Sequence, residues 1–262
     1  MGAISVDLGI GRAAVDQDGC VECYACYRGM SQEHLNPVLV RAIRKVLGLL
    51  RLRFEPEPDV CPTAAFAPEE LQWPRMVRRA FSDPQVTHES TGVHGRGTEE
   101  VKTNDVTGRV QLGEAGFTVE FGRPGVGVRF RQIQEMTEAL ATLGIEFEQR
   151  NPVTSLMTDP IRGLIREDIL SEKILSAIVE VKCKLEWVPA VLDTVAEVAR
   201  RLDTVVSVGV ATRCDEEGED LYLAPLLVEK GYVFHRAKTN LGLGRAAPPT
   251  PAAPVETVEV PR

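Results

Sequence analysis

Three of the chain's six cysteines fall in the stretch GCVECYACYRG, as Cys20, Cys23 and Cys26. Thiolates spaced C-x2-C-x2-C in a tight loop can converge on neighbouring corners of one iron–sulfur cube. The loop amides then point inward at the sulfides. A cube needs a further ligand, and Cys61, followed by Pro62, supplies it. Two other chemistries use the same residues. Zinc is one, although zinc sites usually join one close cysteine pair to a second, and no second close pair exists here. The other is a three-ligand cluster with an open iron, which would leave Cys61 a bystander. Cys183 falls in phase with the inward side of an alternating run and is expected in a core. Cys214, within TRCDEEGED, is expected to be an exposed bystander.

This pattern resembles the signature of the bacterial-type ferredoxins that carry one cluster. In them a helix replaces the second cluster and a remote Cys-Pro closes the first. The closing stretch CPTAAF is similar to the end of that module. The resemblance covers about the first quarter of the chain. It implies one [4Fe-4S] cluster on Cys20, Cys23, Cys26 and Cys61 that moves one electron at low potential.

A second motif is an echo. KTNDVTGR and KTNLGLGR each bracket Thr, Asn and Gly between a lysine and an arginine. Glycine permits a positive φ, asparagine tolerates one, and successive amides can then form a concavity for an anion. Lys102, Asn104, Arg109, Lys238, Asn240 and Arg245, joined by Arg96 of GRGTEE, make a candidate site for a small anionic ligand. Two unrelated polar turns would give the same letters. His34 and His235 are isolated, and His88 and His94 lie in a polar stretch with no regular spacing, as solvated residues do.

The elements that must position these residues follow from periodicity. NPVLVRAIRKVLGLLRLRF reads as a helix with Leu39, Ile43, Val46, Leu47, Leu50 and Phe54 on one face. Its other face carries Arg41, Arg44, Lys45 and Arg51, which with Arg75, Arg78 and Arg79 form a candidate docking surface for a partner. A shorter helix is expected around PEELQWPRMVRRAF. Residues 82–116 lack a core pattern, so a stretch that long must be held by the second domain, a partner or a ligand. Beyond it, FTVEF, RFRQIQEMTEALATLG, IEFEQRNPVTSLM, AIVEVKCKLEW, PAVLDTVAEVARRLD and TVVSVGVAT read as strand, helix, strand, strand, helix, strand, with a short helix in IRGLIREDILSEK.

That order predicts an α+β protein: an N-terminal [4Fe-4S] ferredoxin module followed by a ferredoxin-like βαββαβ sandwich with one wet sheet face. The same order resembles that of ACT-type domains, which bind amino acids. The predicted division is 1–81 for the module with its inserted helix, 82–116 for the irregular loop, 117–245 for the sandwich, and 246–262 for a disordered tail rich in Pro and Ala.

A net charge of -8 disfavours a nucleic-acid partner. No apolar run approaches the length of a membrane span, and the first residues lack the pattern of a signal peptide, so the expectation is a cytoplasmic protein with no membrane partner. The function expected is an electron-transfer protein, or the electron-transfer subunit of a redox enzyme, docking a redox partner. The alternatives are a redox-sensing or regulatory protein with an anionic metabolite on its C-terminal domain, and an enzyme using the cluster beside an anionic substrate. A homodimer through the wet sheet face is expected as well.

Overall fold

The structure is a computed structural model that describes residues 2–9, 12–26, 37–52, 70–98, 108–123 and 125–234. The chain is mixed α+β. It opens with a hairpin of β1 (Ile4–Asp7) and β2 (Arg12–Val15), followed by helices α1 (Pro37–Leu49) and α2 (Met76–Ala80). Then come β3 (Glu114–Phe121), β4 (Val128–Arg129), α3 (Phe130–Ala141), β5 (Glu146–Phe147), β6 (Met157–Asp159), β7 (Leu164–Ile165) and β8 (Lys173–Ile174). The described part closes with β9 (Ala177–Lys184), α4 (Val188–Ala199), β10 (Val206–Thr212) and α5 (Leu223–Glu229).

The main sheet has the order β10-β3-β9-β5, and every neighbouring pair is antiparallel. β3 and β9 form its centre, with Phe117 opposite Val181 and Val119 opposite Val179. Odd-numbered residues of both strands point to one face, because side chains alternate along a strand. There Phe117, Val119, Phe121, Val179 and Val181 meet Phe130, Ile133, Met136 and Leu140 of α3, and Val188, Val191 and Val195 of α4. Fully burying each large apolar side chain stabilises by about 1.5–3 kcal/mol. The Gln132 side chain accepts the backbone N–H of Arg129 at 2.9 Å and so caps the start of α3, and Pro189 sits in the first turn of α4.

The periodic segments form where the spacing predicts them, with three differences. IEFEQRNPVTSLM pairs with β9 only over β5. Asn151 then turns the chain, its Oδ1 accepting the amide of Val153 at 2.8 Å ahead of a 3-10 turn at Thr154–Leu156. IRGLIREDILSEK contains the hairpin strand β7 and a single 3-10 turn, Glu167–Ile169, in place of a short helix. At α1, Leu39, Val46 and Leu50 of the expected apolar face remain exposed.

The second face of the sheet is not wet at its centre. Glu180 is 2% exposed, and Thr118 and Ile178 are buried beside it. Period-two alternation sorts residues between faces but says nothing about what covers each face. Here the polar stretch that precedes β3 and the turn at Asn151 lie over it. Arg96 pairs with Glu120, Arg109 with Glu148, and Asn151 with Glu180. The irregular stretch is thus held, in its described part, by the sheet half of the chain. Val77 and Phe81, from the N-terminal side of the predicted boundary, also join the sheet core.

Gly163 shows how tightly the excursion between β5 and β9 is fitted. It has φ +71°, and a Cβ there would stand 2.3 Å from the carbonyl oxygen of Thr137. Its own carbonyl accepts the Thr137 hydroxyl at 2.6 Å. Gly163→Ala is expected to lower the unfolding free energy by more than about 1 kcal/mol in urea denaturation. Gly48 in α1 has nothing within 4 Å of such a Cβ. Gly48→Ala is therefore expected to strengthen α1 by about 0.5–1 kcal/mol, read as slower amide exchange in that helix.

Candidate metal centre and its surroundings

The cysteine loop leaves β2 through a polar turn. The amide of Asp16 donates to the carbonyl of Ala3 at 2.7 Å, and the amide of Cys20 donates to the carbonyl of Asp16 at 2.9 Å. Val21 is buried and anchors the loop, while Cys20, Cys23 and Cys26 are half-buried. Glu22 and Tyr24, on either side of Cys23, have φ of 58° and 55°. Left-handed backbone costs a residue other than glycine about 1–2 kcal/mol. Other contacts must hold the loop in that shape.

The arginines at α2 do so. Arg75 donates from Nε to the Glu22 carboxylate at 2.8 Å, and from Nη1 and Nη2 to the Gln17 carbonyl and side chain at 2.9 and 2.7 Å. The Nη1 of Arg78 reaches the carbonyls of Gln17, Asp18 and Cys20, and its Nε pairs with the Glu172 carboxylate. Arg79 stacks its guanidinium 4.4 Å from the ring centre of Tyr24. Arg129, at the start of α3, pairs with Asp18 and donates to the carbonyl of Ser171 at 2.6 Å. The sequence places Arg75, Arg78 and Arg79 on a docking surface. The structure turns all three toward the chain's own cysteine loop, and Arg78 is only 5% exposed.

The donor chemistry fits an iron–sulfur group: thiols repeat at every third position in a loop whose backbone reverses at Glu22 and Tyr24. Among the described residues, no three His, Cys, Asp or Glu side chains are gathered around a point where a metal ion could sit. Cys61 lies outside the described residues. Burial pushes the Cys20 thiol above its ordinary range; the hydrogen bond from the Glu22 amide opposes the rise, the Glu22 carboxylate adds to it, and Arg75 opposes it. Cys183 is buried as its phase predicts, and burial raises its thiol to about 11. Cys214 is half-buried near the end of β10.

Of the candidate anion residues, Arg96 and Arg109 lie over the second sheet face, engaged by Glu120 and Glu148. Lys102, Asn104, Lys238, Asn240 and Arg245 lie outside the described residues, as does the tail 246–262. His88 is buried rather than solvated. It packs edge-on against Phe81 at 4.8 Å between ring centres and contacts the carbonyl of Gly95 at 3.1 Å. His94 lies within 3.2 Å of the Thr87 hydroxyl. Sequence reasoning missed Glu22, Asn151, Glu172 and Glu180. Only Asn151 carried a local signal, its place before Pro152 in a turn.

Asn151 is fully buried and donates to the Ile178 carbonyl at 3.1 Å and to Glu180 at 2.9 Å. Asn151→Ala is expected to cost about 1–3 kcal/mol in urea denaturation by taking these donors away. Acid should release the covering stretch in two steps. Burial lowers the pKa of His88 from 6.5, opposed by Gly95, so its stabilisation is present above the ordinary histidine value and is lost as pH falls below it. Burial raises Glu148, but hydrogen bonds from Arg109 and the Arg150 amide outweigh it and leave the carboxyl below its ordinary value. Its stabilisation is present above the usual carboxylate range and is lost as pH falls through the lowered one. Unfolding free energy measured against pH should decline in both windows, and His88→Gln should flatten the first.

No protein-family model, no curated protein and no solved structure matches this chain.

Proposed function

We propose that the chain is an iron–sulfur electron-transfer protein, or the electron-transfer subunit of a redox enzyme, with one [4Fe-4S] cluster held by Cys20, Cys23, Cys26 and Cys61. The observation that carries this reading is the C-x2-C-x2-C loop with its two left-handed residues, pinned by Arg75 and Arg78. Such a cluster, when bound, supplies a site that takes up and gives back a single electron. The chain's own part is to furnish the thiolates, to fix the loop and to place cations beside it. The half from β3 onward is proposed as a ferredoxin-like sandwich, a reading supported by the order β10-β3-β9-β5 with α3 and α4 against the face of its apolar core.

The exposed cations Lys45 and Arg51 around α1 are proposed to dock an acidic redox partner. Placement in the cytoplasm fits this role, and no helix among the described residues is long and apolar enough to cross a membrane. An anionic ligand on Arg96 and Arg109 is less favoured, because each guanidinium already faces a carboxylate.

Protein prepared without oxygen is expected to be brown, with about four irons and as many acid-labile sulfides per chain, and to give a paramagnetic signal on reduction by dithionite. Replacing Cys20, Cys23, Cys26 or Cys61 by Ser should abolish or cripple iron binding, whereas Cys183→Ser and Cys214→Ser should retain it. Zinc with no labile sulfide would overturn the reading.

A further inference from the structure

We infer that Arg78 is a positioning residue that ties the cysteine loop to the sheet half of the chain and, resting on the cluster proposed above, sets the potential of the group held in that loop. A basic residue beside other basic residues on a helix is ordinarily solvated. Arg78 is instead 5% exposed. Its Nη1 faces three carbonyls at once, those of Gln17 at 3.0 Å, Asp18 at 3.2 Å and Cys20 at 2.7 Å. These acceptors cap the turn that delivers Cys20, and a guanidinium presents its donors in a fixed plane that an ammonium cannot reproduce.

The other side of the same group pairs with the carboxylate of Glu172. Glu172 is itself built into the sheet half: its carbonyl accepts the amide of Phe130 at 3.2 Å, at the first residue of α3. Arg129, the preceding residue, pairs with Asp18. One buried cation therefore joins the first cysteine to the element that opens α3. A shift of the loop has to be transmitted to Glu172, or else leave a buried charge without its partner.

This arrangement has an electrostatic signature. Uptake of one electron from a low-potential donor such as dithionite, which is oxidised in the exchange, would add one negative charge to the group that the thiolates hold, with no bond made or broken. A cation buried against the Cys20 peptide favours that reduced state, and the Glu172 carboxylate behind it opposes the effect. In poorly screened surroundings both contributions act at the loop. Removing the cation should make the midpoint potential more negative, and neutralising the anion should make it more positive. A residue that merely propped the loop would not give shifts of opposite sign.

The test uses the full-length chain in two forms. In metal-free protein, the rate of Cys20 alkylation by iodoacetamide is followed by peptide mass spectrometry for wild type, Arg78→Lys, Arg78→Met and Glu172→Gln, with circular dichroism verifying the fold. Arg78→Met and Arg78→Lys are expected to alkylate several-fold faster than wild type. Unchanged rates would overturn the positioning role, whether or not a cluster can be loaded. In protein reconstituted with iron and sulfide, potentiometric titration is expected to give a more negative midpoint for Arg78→Met and a more positive one for Glu172→Gln. If Arg78→Met does not fold, the Glu172→Gln shift alone decides the sign. Shifts in one common direction, or none, would overturn the electrostatic role. Wild-type protein that takes up no iron and sulfide would refute the proposed function, and the alkylation rates would still judge Arg78.

Discussion

The sheet is covered at its centre on both faces, and only one of the covers is apolar. Helices α3 and α4 seal one side of β3 and β9 in the ordinary way. On the other side Glu120, Glu148 and Glu180 meet a layer built from Arg96, Arg109 and Asn151. A carboxylate withdrawn from water is tolerated only with donors in place, since an unpaired buried charge costs far more than a paired one. The polar cover therefore has to be specific where the apolar cover need only fit. Stretch 82–98 follows the path it does because its arginine must reach a sheet carboxylate, and because a Cβ on Gly97 would stand 2.3 Å from Pro152.

Arginine does the equivalent work at the cysteine loop. Arg75, Arg78, Arg79 and Arg129 converge on residues 16–24, a stretch with little apolar surface of its own beyond Val21. Planar groups with several fixed donors can satisfy a cluster of loop carbonyls that no hydrophobic contact could order. The two polar layers share a logic: irregular backbone is attached to a regular core through charged side chains from that core.

What could be read from the sequence was what repeats. The strands at 117–121 and 177–183, and the helices at 130–141 and 188–199, show their apolar residues at their own periods, and the structure forms them there. Burial of Cys183 followed from its phase. The role of Glu180 did not, because alternation marks it as facing away from the helices and is silent about a second cover. Arg78 was illegible for a related reason. In MVRRA it is one basic residue among three nearby, and its partners Gln17, Cys20 and Glu172 are distant in sequence. The cysteine spacing was legible as chemistry, but the turn that shapes it, left-handed at Glu22 and Tyr24, was not, since neither residue type favours that conformation.

The anchoring of the cysteine loop also fixes an order of events in making the protein. Asp18 and its partner Arg129 are 111 residues apart in the chain, and Arg78 and Glu172 are 94 apart. A chain made from its N-terminus presents the three thiols long before either anchor exists. Closing spans of that length carries an entropic cost that only the finished sheet can repay. The loop is thus the first part of the described chain to carry chemistry and among the last to be locked. Throughout synthesis its thiols stay open to solvent and to whatever oxidant or thiol-reactive group meets them there.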